Sequence, residues 1–180
     1  KEHDLGFTPH DWLTVGNVII RVAIMVDSLT AIMAVIVTGV SLLVQIYGLE
    51  YMRHDHGYAR YYAAMSLFTA SMLGLIMASN LVLLFVFWEL VGLCSYLLIG
   101  HWFERPAAAN AAKKAFIVTR FGDFGFLIGI IWAHAATGTF EIKELHAMAA
   151  TGALAGAALT WLTLGIFAGA VGKSGQFPLH

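Results

Sequence analysis

Four ionisable side chains, Glu89, Arg120, Asp123 and Lys173, lie inside apolar runs long enough to cross a bilayer. A charge at the bilayer centre costs at least ~2.5 kcal/mol, so residues of this kind mark ion or proton pathways by default. Their chemistry would be proton exchange and mutual control of charge. Glu89 lies about 12 Å along the third apolar run, at 1.5 Å per helical residue; its alternative role is a neutral carboxyl bonded to a neighbouring helix. Arg120 and Asp123 are three apart, share one helix face and can pair. Such a pair either locks helices together or becomes a switch, if Glu89 comes near enough to compete for Arg120. Lys173 sits late in the last run, just before Ser174, Gly175 and Pro178. Proline breaks the helix ladder there, and a lysine beside a broken membrane helix suits ion binding; snorkelling to the interface is its other reading. At an effective dielectric of 20, unit charges about 8 Å apart interact by roughly 2 kcal/mol. That suffices to bias whether a buried lysine keeps its proton.

The elements that must position these groups are read from the apolar runs. Five spans are expected, at about Ala23/Asp27–Tyr47/Gly48, Tyr61–Ser79, Leu81–Phe103, Ala115–Ala136 and from Gly152 onward. Each is close to the ~20 residues a crossing needs. The β-branched stretch Val18, Ile19, Ile20 and Val22 favours a loop or short hairpin before them. Residues 1–22 are therefore read as an extramembrane segment, and residues 23–180 as the transmembrane bundle. Glu104-Arg105-Pro106 marks a turn carried on to Lys113 and Lys114, and Phe140–Ala150 a short amphipathic segment on the membrane surface. Arg53, Arg60, Arg105, Lys113 and Lys114 fall on one side of the bundle, against Arg21 and Lys143 on the other. The positive-inside rule places the first group in the cytoplasm and the N-terminal segment in the periplasm. Gly125/Gly129, Gly152/Gly156 and Gly165/Gly169 have the small-xxx-small spacing of close helix packing.

Composition narrows the function class. The chain is 59% hydrophobic and 12% charged, with net charge −1 and a mean hydropathy of +0.78; soluble domains carry roughly 25% charged residues. Nothing in that balance favours nucleic acid. The single cysteine, Cys94, cannot hold an iron–sulfur cluster or form an internal disulfide. Gly172-Lys173-Ser174 resembles the end of a phosphate-binding loop, but Phe167 stands where that motif needs glycine. No two of His54, His56, His101 and His134 share the middle of a span, which disfavours haem, and Trp88 reads as a packing residue. Redox chemistry is therefore expected in partners. Both ends read as internal to a longer chain.

The stretches Phe87–Gly100, Ala112–Asp123 and Gly172–His180 occur in the order in which related segments occur in a known family. With Val26-Asp27-Ser28-Leu29 and Tyr51-Met52-Arg53, they make the chain from about Val26 resemble the antiporter-like membrane subunits of respiratory complex I, the proton-pumping NADH:quinone oxidoreductase, and above all the largest (subunit L in bacteria, chain 5 in mitochondria). The resemblance implies an all-α, polytopic half-channel in the distal membrane arm, with Glu89 and Lys173 as its essential glutamate and lysine and Arg120 and Asp123 as the pair between them. By that resemblance the five spans are family helices three to seven, and the first two helices and second inverted repeat have no counterpart here. It further implies partners among other membrane-arm subunits and the lipid bilayer. Flavin, iron–sulfur clusters and quinone would belong to partner subunits, with no cofactor in this chain. The expected location is a bacterial plasma membrane, with the mitochondrial inner membrane second. The large subunit of a multisubunit Na+/H+ antiporter shares these motifs and is the alternative function; membrane-bound hydrogenases and inorganic-carbon uptake complexes use related subunits too.

Overall fold

The computed structural model describes residues 10–16 and 18–180. The polar start at Lys1–Asp4 lies outside them. Strands β1 (His10–Val15) and β2 (Val18–Val22) form an antiparallel hairpin, turning at Gly16, whose φ of 61° suits a residue without Cβ. Six helices follow: α1 (Ser28–Tyr51), α2 (Tyr58–Ile76), α3 (Leu81–Ile99), α4 (Pro106–Thr137), α5 (Ile142–Ala150) and α6 (Gly156–Ser174). Neighbouring pairs are α1 with α2, α2 with α3, α3 with α4, and α4 with α6.

Helix ends follow local chemistry. Asp27 caps α1 by accepting from the Thr30 amide at 2.7 Å, and Asn80 caps α3 by accepting from the Leu83 amide at 2.8 Å, each satisfying an amide that has no partner within its helix. The Asn80 Nδ2 also donates to the Arg21 carbonyl at 2.6 Å, tying the hairpin to α3. Pro106 opens α4 at its first turn, where a missing N–H costs nothing. Gly138 and Gly175 end α4 and α6 in left-handed geometry.

These ends correct several expected boundaries. Lys113 and Lys114 stand on α4, which starts at Pro106 rather than near Ala115. Gly152 and Gly156 both have positive φ and flank the turn before α6, so they are not a helix-packing pair. Helix α6 ends at Ser174, which puts Lys173 in its last turn. The amphipathic segment is α5, but Leu145 is buried in the core cluster, so the helix is packed into the bundle on that side. Of the five long helices among the described residues, α1, α3, α4 and α6 are long and apolar enough to cross a membrane. Helix α2 has the length but carries Arg60, Tyr58, Tyr61 and Tyr62 in its first turns.

The two ends of the bundle differ. At one, the hairpin, the α2–α3 junction and the α4–α5 junction join through Met25 N–H to Met77 O, Leu81 N–H to Phe140 O and Ile142 N–H to Ser79 O, at 2.9–3.1 Å. Beneath lies the apolar cluster of Leu81, Phe126, Ile130, Ala133, Leu145, Leu154 and Leu162. At the other end, Asp55 between α1 and α2 accepts from Trp102 Nε1 at 2.7 Å and the Gly57 amide at 2.6 Å, and lies 3.0 Å from His101 Nε2. Arg60 donates to the His101 carbonyl at 2.8 Å. These bonds hold the Asp55 carboxyl at a pKa of about 2, the Trp102 donor acting most strongly. His101 is buried. Helix α1 leaves Leu29, Ile32, Val35, Val40 and Leu43 exposed, an apolar face suited to lipid or to further helices.

Candidate functional site

Close approach of α4 and α6 builds the site. The two helices run antiparallel, with Gly129 against Gly165 and Gly122 against Gly172. A Cβ on Gly122 would lie 2.7 Å from the Ala168 carbonyl oxygen, and one on Gly125 would lie 2.7 Å from the Ala168 methyl. Phe126 fills the space beside Gly169. Small residues in lipid allow this backbone approach. Two of the three glycine pairs read from spacing lie in this seam, whereas the Gly122–Gly172 contact joins glycines 50 residues apart and has no local signal.

The seam brings Lys173 of α6 beside Asp123 and Arg120 of α4, and α3 supplies the third wall with Glu89, Trp88 and Gly92. Arg120 Nη1 pairs directly with Glu89 Oε2 and lies 3.6 Å from Asp123 Oδ2. All four residues named from the sequence therefore meet, each beside at least one other. The closer partner of Arg120 is Glu89, across helices, rather than Asp123 one turn away. The reason is placement: Asp123 points into the bundle and is 2% exposed, whereas the Arg120 and Glu89 side chains are 29% and 27% exposed. They border an apolar groove with Phe85, Val86, Leu90, Leu93 and Phe116. The Arg120 guanidinium also covers the Phe116 ring at 4.5 Å.

Two residues of the site were not foreseen. Trp88, read as packing, donates its indole N–H to Asp123 Oδ1 at 2.6 Å. Its ring also packs edge-on against Phe126 at 5.5 Å. Gly92 follows one turn later; Lys173 Nζ occupies the space its side chain would fill, with Arg120 Nη2 3.5 Å from that point. The Trp-Glu adjacency and the i, i+4 spacing of Trp88 and Gly92 were visible, but nothing local said which face met α6. Lys173 Nζ, Asp123 Oδ2 and Arg120 Nε are buried without a hydrogen-bond partner among the described residues. Buried polar atoms are costly when unpaired, and three such atoms are concentrated here.

Residues 78–180 match the profile of the family described as NADH:quinone oxidoreductase/Mrp antiporter, transmembrane, a span that contains the whole site. The chain belongs to this family. Residues 12–62 of this NADH:quinone oxidoreductase/Mrp-type chain match a second profile, described as the N-terminus of complex I NADH-ubiquinone oxidoreductase chain 5. It is 49% identical, over 94% of its length, to NAD(P)H-quinone oxidoreductase chain 5 of Synechocystis sp., covering 26% of that protein. It is 50% identical to the chloroplastic NAD(P)H-quinone oxidoreductase subunit 5 of Adiantum capillus-veneris, over 94% of this chain and 24% of the relative. The chain thus spans about a quarter of the length of these relatives. Among solved structures, the Mrp complex from Dietzia sp. DQ12-45-1b contains a chain with a TM-score of 0.85 and 31% identity, matched over 98% of this chain and 19% of that one. An archaeal membrane-bound sulfane sulfur reductase contains a chain sharing the fold, with a TM-score of 0.74.

Proposed function

We propose that this chain is the first half-channel of a proton-translocating membrane subunit of an NADH:quinone oxidoreductase. The observation that carries this reading is the meeting of Glu89, Arg120, Asp123 and Lys173 from three helices, with three of their polar atoms buried and without a hydrogen-bond partner among the described residues. Arg120 is the movable part. It now holds Glu89, and Asp123 Oδ2 is already 3.6 Å away, so a shift of under about 1 Å gives it a charge-assisted bond there. With Arg120 on Glu89, Asp123 is left to balance Lys173, which favours a protonated amine. With Arg120 on Asp123, that balance is withdrawn and Lys173 releases its proton more readily, while Glu89 is freed to take one. Two such arrangements differing by a few kcal/mol form a switch that an outside field can bias.

The chain would supply no redox centre. NADH oxidation, flavin, iron–sulfur clusters and quinone belong to partner subunits in this reading, and the other membrane-arm subunits are its neighbours. The hairpin end faces the periplasm, and the Arg53, Arg60 and Arg105 end the cytoplasm, of a bacterial plasma membrane. The relatives from Synechocystis sp. and from chloroplasts support a cyanobacterial or chloroplast membrane as the second location. The second reading, a subunit of an Mrp-type Na+/H+ antiporter, is favoured by the likeness to the Dietzia complex. The full-length protein, purified gently from its native membrane, separates them: flavin and iron–sulfur absorption with NADH:quinone turnover supports the oxidoreductase, and colourless partners without turnover support the antiporter. In either complex, Lys173→Met or Glu89→Gln should abolish proton movement in liposomes while leaving assembly intact. Unimpaired proton movement in either variant would refute the half-channel.

A further inference from the structure

The charge relay needs Asp123 and Lys173 held in register although they stand on different helices, and one side chain of a third helix touches both. We infer that Trp88 is the positioning residue of this site: its indole N–H fixes the Asp123 carboxylate while its ring face carries the Lys173 amine. The N–H to Oδ1 distance is 2.6 Å, and Lys173 Nζ lies 5.7 Å from the ring centroid, inside cation–π range. Among the described residues this N–H is the only hydrogen bond recorded for that buried carboxylate. The ring is held in turn by Phe126, 1% exposed and edge-on at 83°. Gly92, on the same face of α3, leaves open the space into which Lys173 Nζ reaches; a side chain there would push the amine off the ring.

The consequence is specific. Without the N–H, Asp123 has no donor to hold it on the α3 side, and it turns to Arg120, whose Nη1 is 3.6 Å from its other oxygen. Arg120 would then stay on Asp123, Glu89 would lose its partner, and the switch would be fixed in one state. The ring alone, even if well packed, does not prevent this. Trp88 acts through Asp123 and Lys173 and exchanges no proton itself.

This inference rests on the half-channel reading, and the test separates the two. The full-length subunit, in its native membrane complex reconstituted into liposomes, is prepared with Lys173→Met, with Trp88→Phe, and with 3-benzothienylalanine at position 88. That analogue keeps the shape and apolar area of tryptophan but carries sulfur in place of N–H. Proton uptake per turnover should fall about ten-fold or more with the analogue, the factor carried by a lost hydrogen bond to a charged group, and at least as far with Trp88→Phe. The isotope-edited infrared band of the Asp123 carboxyl should move with the analogue. If the analogue pumps like tryptophan with an unmoved band, Trp88 only packs and the assignment is overturned. Failure of the analogue complex to assemble would also overturn it, by giving the N–H a folding role. Lys173→Met pumping normally would refute the half-channel itself; Lys173→Met inactive beside a normal analogue would refute Trp88 alone.

Discussion

Gly165→Ala puts one methyl group into the α4–α6 seam. An ideal Cβ at Gly165 falls 2.6 Å from Gly129 Cα, 2.9 Å from Gly129 N and 3.1 Å from the Gly125 carbonyl oxygen. All three are backbone atoms of α4, so no rotamer change can make room. Carbon atoms pack best at about 3.5–4.0 Å, so the helices must part by about 1 Å at this level. Overpacking of that kind costs about 1–3 kcal/mol, offset by about 1 kcal/mol from replacing glycine in a helix. The expected net is therefore a loss of up to about 2 kcal/mol. Gly39→Ala on α1 is the matched control: among the described residues nothing lies within 4 Å of its Cβ, so only the helical gain remains. The seam also positions Lys173, eight residues further along α6, so parting the helices should reduce proton transport as well as stability. Thermal unfolding of the full-length subunit in its complex, with proton uptake in liposomes, measures both. If Gly165→Ala unfolds no earlier than Gly39→Ala and pumps normally, the helices do not approach at these glycines, and the account of how Lys173 is placed fails with them.

Other parts of the structure give further tests. Asn80→Ala removes both the α3 cap and the bond to the Arg21 carbonyl; about 1 kcal/mol should be lost, and amides 18–22 should exchange hydrogen faster by mass spectrometry. Glu89→Gln leaves Arg120 without its nearest partner. Because these side chains are more than a quarter exposed, the cost should be about 1–3 kcal/mol in denaturant melts, below the ~3–5 kcal/mol of a fully buried broken pair, and Glu89→Gln/Arg120→Met should recover part of it. Asp55 is held from its ordinary 3.8 down to about 2, so its stabilising effect is complete above pH 4 and lost as pH falls through about 2. Compared in a His101→Gln background, which removes the neighbouring imidazole, Asp55→Asn should be less stable at neutral pH, the difference closing only below pH 4; a difference that closed between pH 7 and 5 would contradict the assignment.

Apolar length and polar breaks determined the helices of this protein, because a chain in lipid must satisfy its backbone internally and only helices or closed barrels do so. Asp27, Asn80, Pro106 and the glycines after α4 and α6 put local chemistry at the ends, so most boundaries were legible. The start of α4 is not legible from hydropathy, because the helix extends past the apolar region and carries Lys113 and Lys114 there. Glu89, Arg120, Asp123 and Lys173 announced themselves one by one, since each is expensive at membrane depth. Their grouping did not. Which carboxylate Arg120 chooses depends on how α3 is rotated against α4, and that rotation is set by packing between residues far apart in sequence. The same holds for Trp88: its indole looks like any buried aromatic until Asp123, 35 residues later, is brought under its N–H. Gly122 and Gly172 likewise carry no signal until they touch. Residue type and spacing thus set what chemistry was possible, while the close approach of α4 and α6, with α3 across them, decided which groups lie together, because proton and ion-pair energies vary over ångströms and sequence distance does not report them.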